Sequence, residues 1–431
     1  MPSAAQAPRI GPQYLAMSSP FENPLPSADA TPYVRLALAL ALGAAVSLGI
    51  TRFAYGLLLP TMREDLGWSY TLAGAMNTAN AFGYLLGALA TPWLMRRASP
   101  AALLVWGSAL ATVFMALSGF FTGAEPLLVQ RLLAGVASAL VFIAGGLLAA
   151  RLGARQPRRS GFLLGIYYGG TGVGIVLSAL GVPWVLAQAA DQTHAWAWAW
   201  WALALLCAVA TALLGWPARV LTALDKTAAS SLEPPIASNH SSAAKAQRLF
   251  RPRDFAFALA GYTGFGVGYI GYMTFVIALL REQGSSPGAI TLFYALLGVA
   301  VMASSRIWAG LLDRHQDGQA LARLNALLGV ATLVPALTTA WPLVLASGLL
   351  FGGVFLSVVA STTALVRHNL PPAQWAAGIS AFTIVFAAGQ IVGPTVVGFI
   401  ADGPGGLARG LVFSALALWV GAALAWRQRA L

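Results

Sequence analysis

The sequence has few charged residues and almost no cysteine. Only 9% of its 431 residues are charged, whereas a soluble globular protein carries about a quarter. Cys207 is the single cysteine, which excludes an internal disulfide framework. Long stretches contain no charge at all, among them 36–50, 103–122 and 326–340. These deficits exclude an ordinary soluble domain and favour a chain whose main solvent is lipid.

Apolar residues are abundant, at 58% of the chain, and they are grouped into segments long enough to cross a bilayer. The sequence predicts twelve spans, at roughly 34–59, 71–95, 101–121, 126–150, 161–186, 195–216, 255–280, 288–311, 319–340, 342–366, 374–400 and 407–426. We therefore expect an all-α membrane protein with twelve transmembrane helices in two similar bundles of six, at 33–216 and 254–426.

Three further segments join or flank these bundles. Residues 1–32 are rich in Pro, Ser and Ala, so we expect a disordered tail. Residues 217–253 hold paired serines and prolines with scattered charges, a composition typical of a linker. Residues 427–431 form a second short tail. An internal repeat supports the division, because at an offset of 218 Arg63-Glu64 falls on Arg281-Glu282.

Basic residues are unevenly distributed between alternate loops, and this predicts the orientation. Arg96, Arg97 and the four arginines of 151–159 belong to one set, whereas the other set is neutral or acidic. The positive-inside rule then places both termini in the cytoplasm of a bacterial inner-membrane protein. The net charge of +12 lies in short loops and not on a basic face, which excludes a nucleic-acid partner. We expect a monomer in the lipid bilayer whose partner is a small-molecule substrate.

Three motifs resemble those of the major facilitator superfamily. They are GLLDR at 310–314, RLLAG at 131–135 and GQIVGP at 389–394. More narrowly, TRFAYGLLLP at 51–60 and ANAFGYLLGA at 79–88 are similar to the YbfB/YjiJ-type bacterial subgroup. The resemblance implies two six-helix halves that rock around a central site. It also implies a secondary transporter.

The resemblance implies gating residues as well. An Asp–Arg unit, here Asp313 and Arg314, locks helix ends on the cytoplasmic side in that superfamily. In the first half Met95 stands where the Asp is expected, and Arg96 and Arg97 follow it. From the sequence itself, Arg306 lies seven residues before Asp313 and shares its helical face, which predicts a place in the same charge cluster.

Arginines within the spans are the strongest candidates for chemistry, because a charge in hydrocarbon is expensive and usually functional. Arg52 lies about four residues past the centre of the first span, where it holds an anionic or polar substrate group, extends to the interface, or is a purely structural hydrogen-bond anchor. Tyr55 shares its face. The resemblance implies that Arg131 in the fourth span either couples transport to protons or organises the interface with the first span; the alternative is an interfacial charge paired with Glu125 or a carbonyl.

Polar and aromatic residues in other spans are further substrate-binding candidates. Asn80 lies on a polar-to-small stripe of the second span, which also suits helix packing. Tyr269 and Tyr272 lie among glycines in the seventh span and could line a cavity. Gln390 lies beside Gly393-Pro394, where a broken helix frees backbone groups.

Acidic residues are missing from the interior of every predicted span, although the chain has thirteen carboxylates. Proton coupling then runs through an arginine network with a peripheral acid, or the protein works as a uniporter or exchanger. No motif for a metal, a cofactor or covalent catalysis is present, so we expect no enzyme. A secondary transporter for a small anionic or neutral organic solute is the first hypothesis, and a non-transporting membrane sensor or scaffold is the alternative.

Overall fold

A computed structural model describes residues 33–230, 250–371 and 374–431, and within these ranges the chain is helical without a strand. The helices are α1 (Tyr33–Ala44), α2 (Tyr55–Leu66), α3 (Tyr70–Leu94), α4 (Pro100–Ser118), α5 (Ala124–Ala154), α6 (Ser160–Gln188), α7 (Ala195–Ser230), α8 (Ala256–Glu282), α9 (Pro287–Ile307), α10 (Ala309–Arg314), α11 (Gln319–Leu337), α12 (Trp341–Asn369), α13 (Trp375–Ala401) and α14 (Gly406–Trp426). In lipid a helix satisfies its own backbone groups, which explains this uniformity.

The helices form twelve spans in two pseudo-symmetric bundles, which confirms the predicted fold class. The first span consists of α1, a π-helical segment and α2, and the eighth consists of α9 and α10. In the first half α5 packs against α3 and α4, while in the second half α14 packs against α8 and α11. The halves meet where α3 packs on α13, α6 on α9 and α2 on α8. These pairs place the second and eleventh, fifth and eighth, and first and seventh spans at the interface.

Eleven helical segments of the described chain are long and apolar enough to cross a membrane. The second span, α3, is 25 residues long but is not among them. It contains no charged residue, so its polar side chains, including Asn77 and Asn80, lower its mean hydropathy. These side chains are buried against other helices and do not face lipid.

The first span is interrupted near its middle, whereas the sequence predicts a continuous helix over 34–59. Ala45–Ile50 is a π-helix, and residues 51–54 form a turn before α2 begins. At this level the span packs closely on α6, because a Cβ at Gly49 would lie 2.6 Å from the carbonyl oxygen of Thr171. The interruption frees backbone carbonyls in the centre of the bundle, where side chains can bind them.

The predicted connecting segments are only partly described. Helix α7 continues beyond Trp216 to Ser230, so the first part of the predicted linker is helical. Residues 231–249 and the predicted tail at 1–32 lie outside the described residues. The short tail at 427–431 is anchored, because buried Gln428 donates a 2.9 Å hydrogen bond to the carbonyl of Asp254.

Candidate functional site

A polar cluster, which we call the central site, joins the two halves in the middle of the bundle. It consists of Arg52, Tyr269 and Gln390, all predicted from the sequence as substrate-binding candidates. Arg52 lies in the turn of the first span, is only 2% exposed, and donates from Nη2 to Oε1 of Gln390. The hydroxyl of Tyr269 donates to the same oxygen at 2.9 Å. One acceptor in the second half therefore binds a cation of the first half.

The central site carries positive charge without a matching acid. In the part of the chain that the structure describes, Arg52 and Arg131 are the charged residues that are buried, and no carboxylate is buried with them. Arg52 has further capacity to bind, because its Nε has no hydrogen-bond partner among the described residues. A buried cation is costly unless it is paired. The arrangement is therefore suited to an anionic or strongly hydrogen-bonding ligand.

Arg131 supports the interrupted first span. It donates from Nη1 to the carbonyl of Thr51 at 2.8 Å and from Nη2 to Oδ1 of Asn77 at 3.0 Å. Its guanidinium lies 4.9 Å from the ring centre of Tyr55 and 5.7 Å from that of Trp200. Because these partners all belong to the first half, Arg131 holds the turn in place and acts as a positioning residue.

Two other predicted residues make contacts within the first half. The hydroxyl of Tyr55 donates to the carbonyl of Ala73 at 2.8 Å. The amide of Asn80 donates to the carbonyl of Arg131 at 3.1 Å. Both bonds hold helices together, and neither residue hydrogen-bonds to a member of the central site.

Two further side-chain hydrogen bonds join the halves: Asn77 lies on the predicted polar stripe of the second span, whereas Tyr294 and Thr274 were not predicted from the sequence. The amide of Asn77 donates to Oγ1 of Thr274 in the second half at 2.8 Å. The hydroxyl of Tyr294 donates to the carbonyl of Phe53 at 2.8 Å. That carbonyl is available because the first span is interrupted there. The sequence signal is weak, since a lone Thr or Tyr in an apolar span is common.

An aromatic wall from the second half borders the central site. The ring of Tyr269 stacks on Phe265 at 4.7 Å, on Phe355 at 5.2 Å and on Phe386 at 5.5 Å between centroids. Tyr272, also a predicted candidate, stacks on Phe351 at 4.0 Å. A cation beside an aromatic wall suits a ligand with one charged group and an apolar body.

The halves are clamped at the distal end, which we define as the bundle end opposite Tyr33 and Trp426. Asp402 follows α13 and accepts hydrogen bonds from the backbone N–H of Tyr70 at 2.7 Å and of Thr71 at 2.9 Å. It also accepts a 2.6 Å bond from the Thr71 hydroxyl. These donors begin α3, where N–H groups lack partners and the helix dipole is positive. A carboxylate of one half thus caps a helix of the other.

The environment of Asp402 changes its acidity. Burial by itself would raise the pKa of this carboxyl, but the hydrogen bonds from the Thr71 side chain and from the Thr71 and Tyr70 backbone outweigh it. The pKa of Asp402 is therefore below its ordinary value. Asp402 remains ionised, and the clamp intact, at any pH well above that value.

The repeated Arg-Glu pairs also meet at the distal end. Arg281 donates to Glu64 at 2.7 Å, and the Tyr70 hydroxyl donates to Glu282. The guanidinium of Arg63 lies 3.8 Å from the ring centre of Tyr70. Each pair therefore reaches the other half. The sequence contains this signal as a repeat, but the repeat alone does not indicate a gate.

Close backbone contact shows that the distal end is shut. A Cβ at Gly74 would overlap the carbonyl oxygen of Pro394 in the other half. A Cβ at Gly56 would lie 2.7 Å from the carbonyl oxygen of Met273. Only glycine lets helices of the two halves approach this closely.

At the terminal end, which carries Tyr33 and Trp426, the described residues form no salt bridge between the halves. The predicted gating residues are exposed there: Arg96, Arg97, Arg306, Asp313 and Arg314. Arg97, in the turn after α3, stacks on Trp93 near the end of that helix at 4.1 Å. Within the described ranges Asp313 and Arg314 form no salt bridge. Arg306 does cross between halves, since it lies 4.8 Å from the ring centre of Phe162.

Metal binding has no support in the described part of the chain. No group of three or more His, Cys, Asp or Glu side chains is placed there to hold an ion. The ligand chemistry that remains is that of the central arginine, its amide and hydroxyl neighbours, and the aromatic wall.

Comparisons with known proteins agree with this architecture. The sequence matches the family described as "Uncharacterised MFS-type transporter YbfB" over residues 44–426. None of the curated proteins matches it significantly. Among solved structures it is similar to a bacterial homologue of the human lysosomal transporter Spinster, with a TM-score of 0.66 and 15% identity over 92% of this chain and 97% of that one. It is also similar to the nucleoside transporter NupG, with a TM-score of 0.67 and 13% identity over 91% of this chain and 98% of that one. A D-xylose-proton symporter is similar too, with a TM-score of 0.67 and 13% identity over 92% of this chain and 98% of that one. At these identities the likeness concerns the fold.

Proposed function

The chain belongs to the family of MFS-type transporters described by YbfB, and from this we propose that it is a secondary active transporter for a small organic solute. The solute is anionic or neutral, and it crosses the cytoplasmic membrane by alternating access between the two six-helix halves. The protein acts as a monomeric carrier without a cofactor and not as an enzyme. The basic loops support a cytoplasmic location for both termini, in which case the distal end faces the periplasm.

The hydrogen bond from Arg52 to Gln390 is the observation that carries this proposal. It joins the halves at the centre of the bundle, and no carboxylate of the described residues is buried with its cation. A substrate carboxylate can replace the amide oxygen of Gln390, since charge-assisted bonds are stronger than neutral ones. The hydroxyl of Tyr269, once released, can donate to the same substrate. The aromatic wall then contacts the apolar part of the solute.

Alternating access requires that the contacts at the distal end, which we call the distal clamp (Asp402 with Tyr70 and Thr71, and Glu64 with Arg281), break while the terminal end closes. Opening breaks the Asp402 cap on α3 and the bond between Glu64 and Arg281. Closure at the other end would bring Asp313 and Arg314 into the lock that the family resemblance implies. Proton coupling, where it operates, acts through the arginine network together with a peripheral carboxylate, because the described spans bury no carboxylate.

Transport by proteoliposomes with substituted Arg52 tests this function. Organic acids and neutral solutes that raise the melting temperature of the purified protein are the substrates to assay. Loss of one charge-assisted hydrogen bond costs about 1.5–3 kcal/mol. Arg52→Ala should therefore raise the apparent KM by about 10- to 150-fold. Arg52→Lys should retain part of the affinity through its charge.

Arg427→Ala is the matched control, because Arg427 is exposed at the terminal end, has no predicted part in gating, and should leave KM unchanged. Unchanged transport and KM in Arg52→Ala would remove Arg52 from the substrate site. Cations as the sole substrates would contradict the preference for anions. Absence of flux for every stabilising solute would contradict transport itself.

A further inference from the structure

A groove beside the fifth span is not used by the proposed transport mechanism. It lies between α1, α6 and α9 and has a volume of about 360 Å³. Its walls are apolar apart from Ser305 and Arg306 near one end. The side chain of Leu38 at its edge is 56% exposed. In a membrane this opening is filled by something that is not water.

The glycines of α6 fall into two groups, and only one group is explained by helix packing. A Cβ at Gly170 would overlap the backbone of α1, and a Cβ at Gly172 would overlap that of α9. A Cβ at Gly169 would be 3.8 Å from its nearest neighbour, and one at Gly165 would be 3.4 Å from the hydroxyl of Ser305. The second pair is one turn apart and faces the groove. Their missing side chains widen it.

Arg306 gives this groove a charged end. It lies eight residues before Arg314, which places it about 12 Å along the helical path from the terminal end of the eighth span. Phe162 of α6 stacks on its guanidinium. No carboxylate pairs with it in the described ranges. An exposed cation at this depth of a bilayer is stabilised by an anion from outside the chain.

We propose that an anionic phospholipid of the surrounding leaflet binds in this groove, with an acyl chain along Gly165 and Gly169 and its phosphate at Arg306. Charge complementarity selects this occupant, because a phospholipid carries an apolar chain and an anion in one molecule. The acyl chain is equally well solvated elsewhere in the bilayer, so it contributes little net affinity. Specificity therefore comes from Arg306 and from the width of the groove.

The bound lipid also favours one conformation of the protein. The walls come from both halves, with α1 and α6 in the first and α9 in the second. Movement of α9 towards α1, as the terminal end closes, would narrow the groove. A ligand that binds one state better than another shifts the population towards it. The lipid thus stabilises the state with the distal end shut.

Lipid titration followed by native mass spectrometry tests the site without any transport measurement, so its outcome is separate from that of the proposed function. The protein in detergent is titrated with phosphatidylglycerol and with phosphatidylcholine. One basic residue near a membrane surface contributes about 1 kcal/mol of attraction to anionic lipid, which is about fivefold in affinity. Arg306→Ala should therefore bind phosphatidylglycerol about fivefold more weakly. Arg306→Lys should bind nearly as well as the wild type.

Gly169→Leu fills the groove and should also weaken phosphatidylglycerol binding at least fivefold. Gly181→Leu is its control, since Gly181 lies in α6 away from the groove, and a Cβ added there would have no neighbour within 4 Å. Arg323→Ala controls for loss of a basic residue at the terminal end. The melting temperature without added lipid checks that each variant folds.

Equal binding of the two lipids by the wild type would overturn the proposal. So would unchanged phosphatidylglycerol binding in both Arg306→Ala and Gly169→Leu. Binding that appears only after residues 2–31 are deleted would identify the amino-terminal segment as the occupant, and the proposal would then be wrong.

Discussion

Replacing Asp402 should open the distal end, because this side chain caps α3 across the boundary between the halves. Loss of an N-cap costs about 1 kcal/mol, and loss of an anion from a helix N-terminus costs about 0.3–1 kcal/mol. Because Asp402 is exposed, solvent screens its interaction with the helix dipole, and that contribution lies near the lower end of its range. The total of about 1–2 kcal/mol corresponds to a five- to thirtyfold fall in the ratio of closed to open protein for Asp402→Ala.

Spin labels at Thr122 and Thr339 can measure this ratio by double electron–electron resonance. Both residues are exposed in distal loops, one in each half, and the native Cys207 is buried. Asp191→Asn, a change at another exposed distal aspartate, is the control and should leave the distance distribution unchanged. A change of less than twofold in Asp402→Ala would refute the clamp.

The pH dependence gives the same prediction a second test. The pKa of Asp402 is lowered in the closed state, so its stabilisation is complete above the ordinary aspartate value of about 3.9. Stabilisation is lost as the pH falls through the lower pKa of the closed state. The wild type should therefore open in acid through this residue. Asp402→Asn keeps one acceptor oxygen but cannot titrate. It should therefore lack the part of the acid-induced opening that comes from protonation of Asp402.

Two further predictions concern stability, measured by thermal unfolding in detergent. Arg131→Ala leaves buried partners unsatisfied and should lower the free energy of unfolding by about 1–3 kcal/mol. The control Arg96→Ala, at an exposed residue, should change it by less than about 0.5 kcal/mol. Equal effects of the two substitutions would show that Arg131 has no positioning role. Gly83→Ala would force a Cβ onto the carbonyl oxygen of Leu132 and should cost about 1–3 kcal/mol. Gly161→Ala meets nothing within 4 Å and should be neutral or slightly stabilising; similar losses in both would contradict the packing argument.

Several features of the central site could be predicted from the sequence, because a buried charge in an apolar span is visible without a structure. Arg52 and Gln390 are candidates on that basis, one as a cation in hydrocarbon and the other beside a helix-breaking Gly-Pro. Their direct bond was not predictable, since 338 positions separate them. The role of Arg131 also depends on the interruption of the first span, and nothing in the local sequence signals a π-helix there.

The contacts between the halves at the distal end could not be predicted from the sequence either. Arg63-Glu64 and Arg281-Glu282 are recognisable as a repeat, but a repeat states which residues correspond and not which ones touch. Asp402 resembles any loop aspartate. Its function as a cap arises only because the second half packs so closely that the end of α13 reaches the start of α3.

The sequence by itself determined the solvent of this protein, the number of its spans and its division into halves. Each of these follows from hydropathy and composition, which act locally along the chain. The tertiary structure alone decided which polar side chains meet, where the first span is interrupted and which end of the bundle is shut. Those features depend on packing between helices that are distant in sequence. The role of a given glycine or arginine therefore depends on which residues of another helix it contacts.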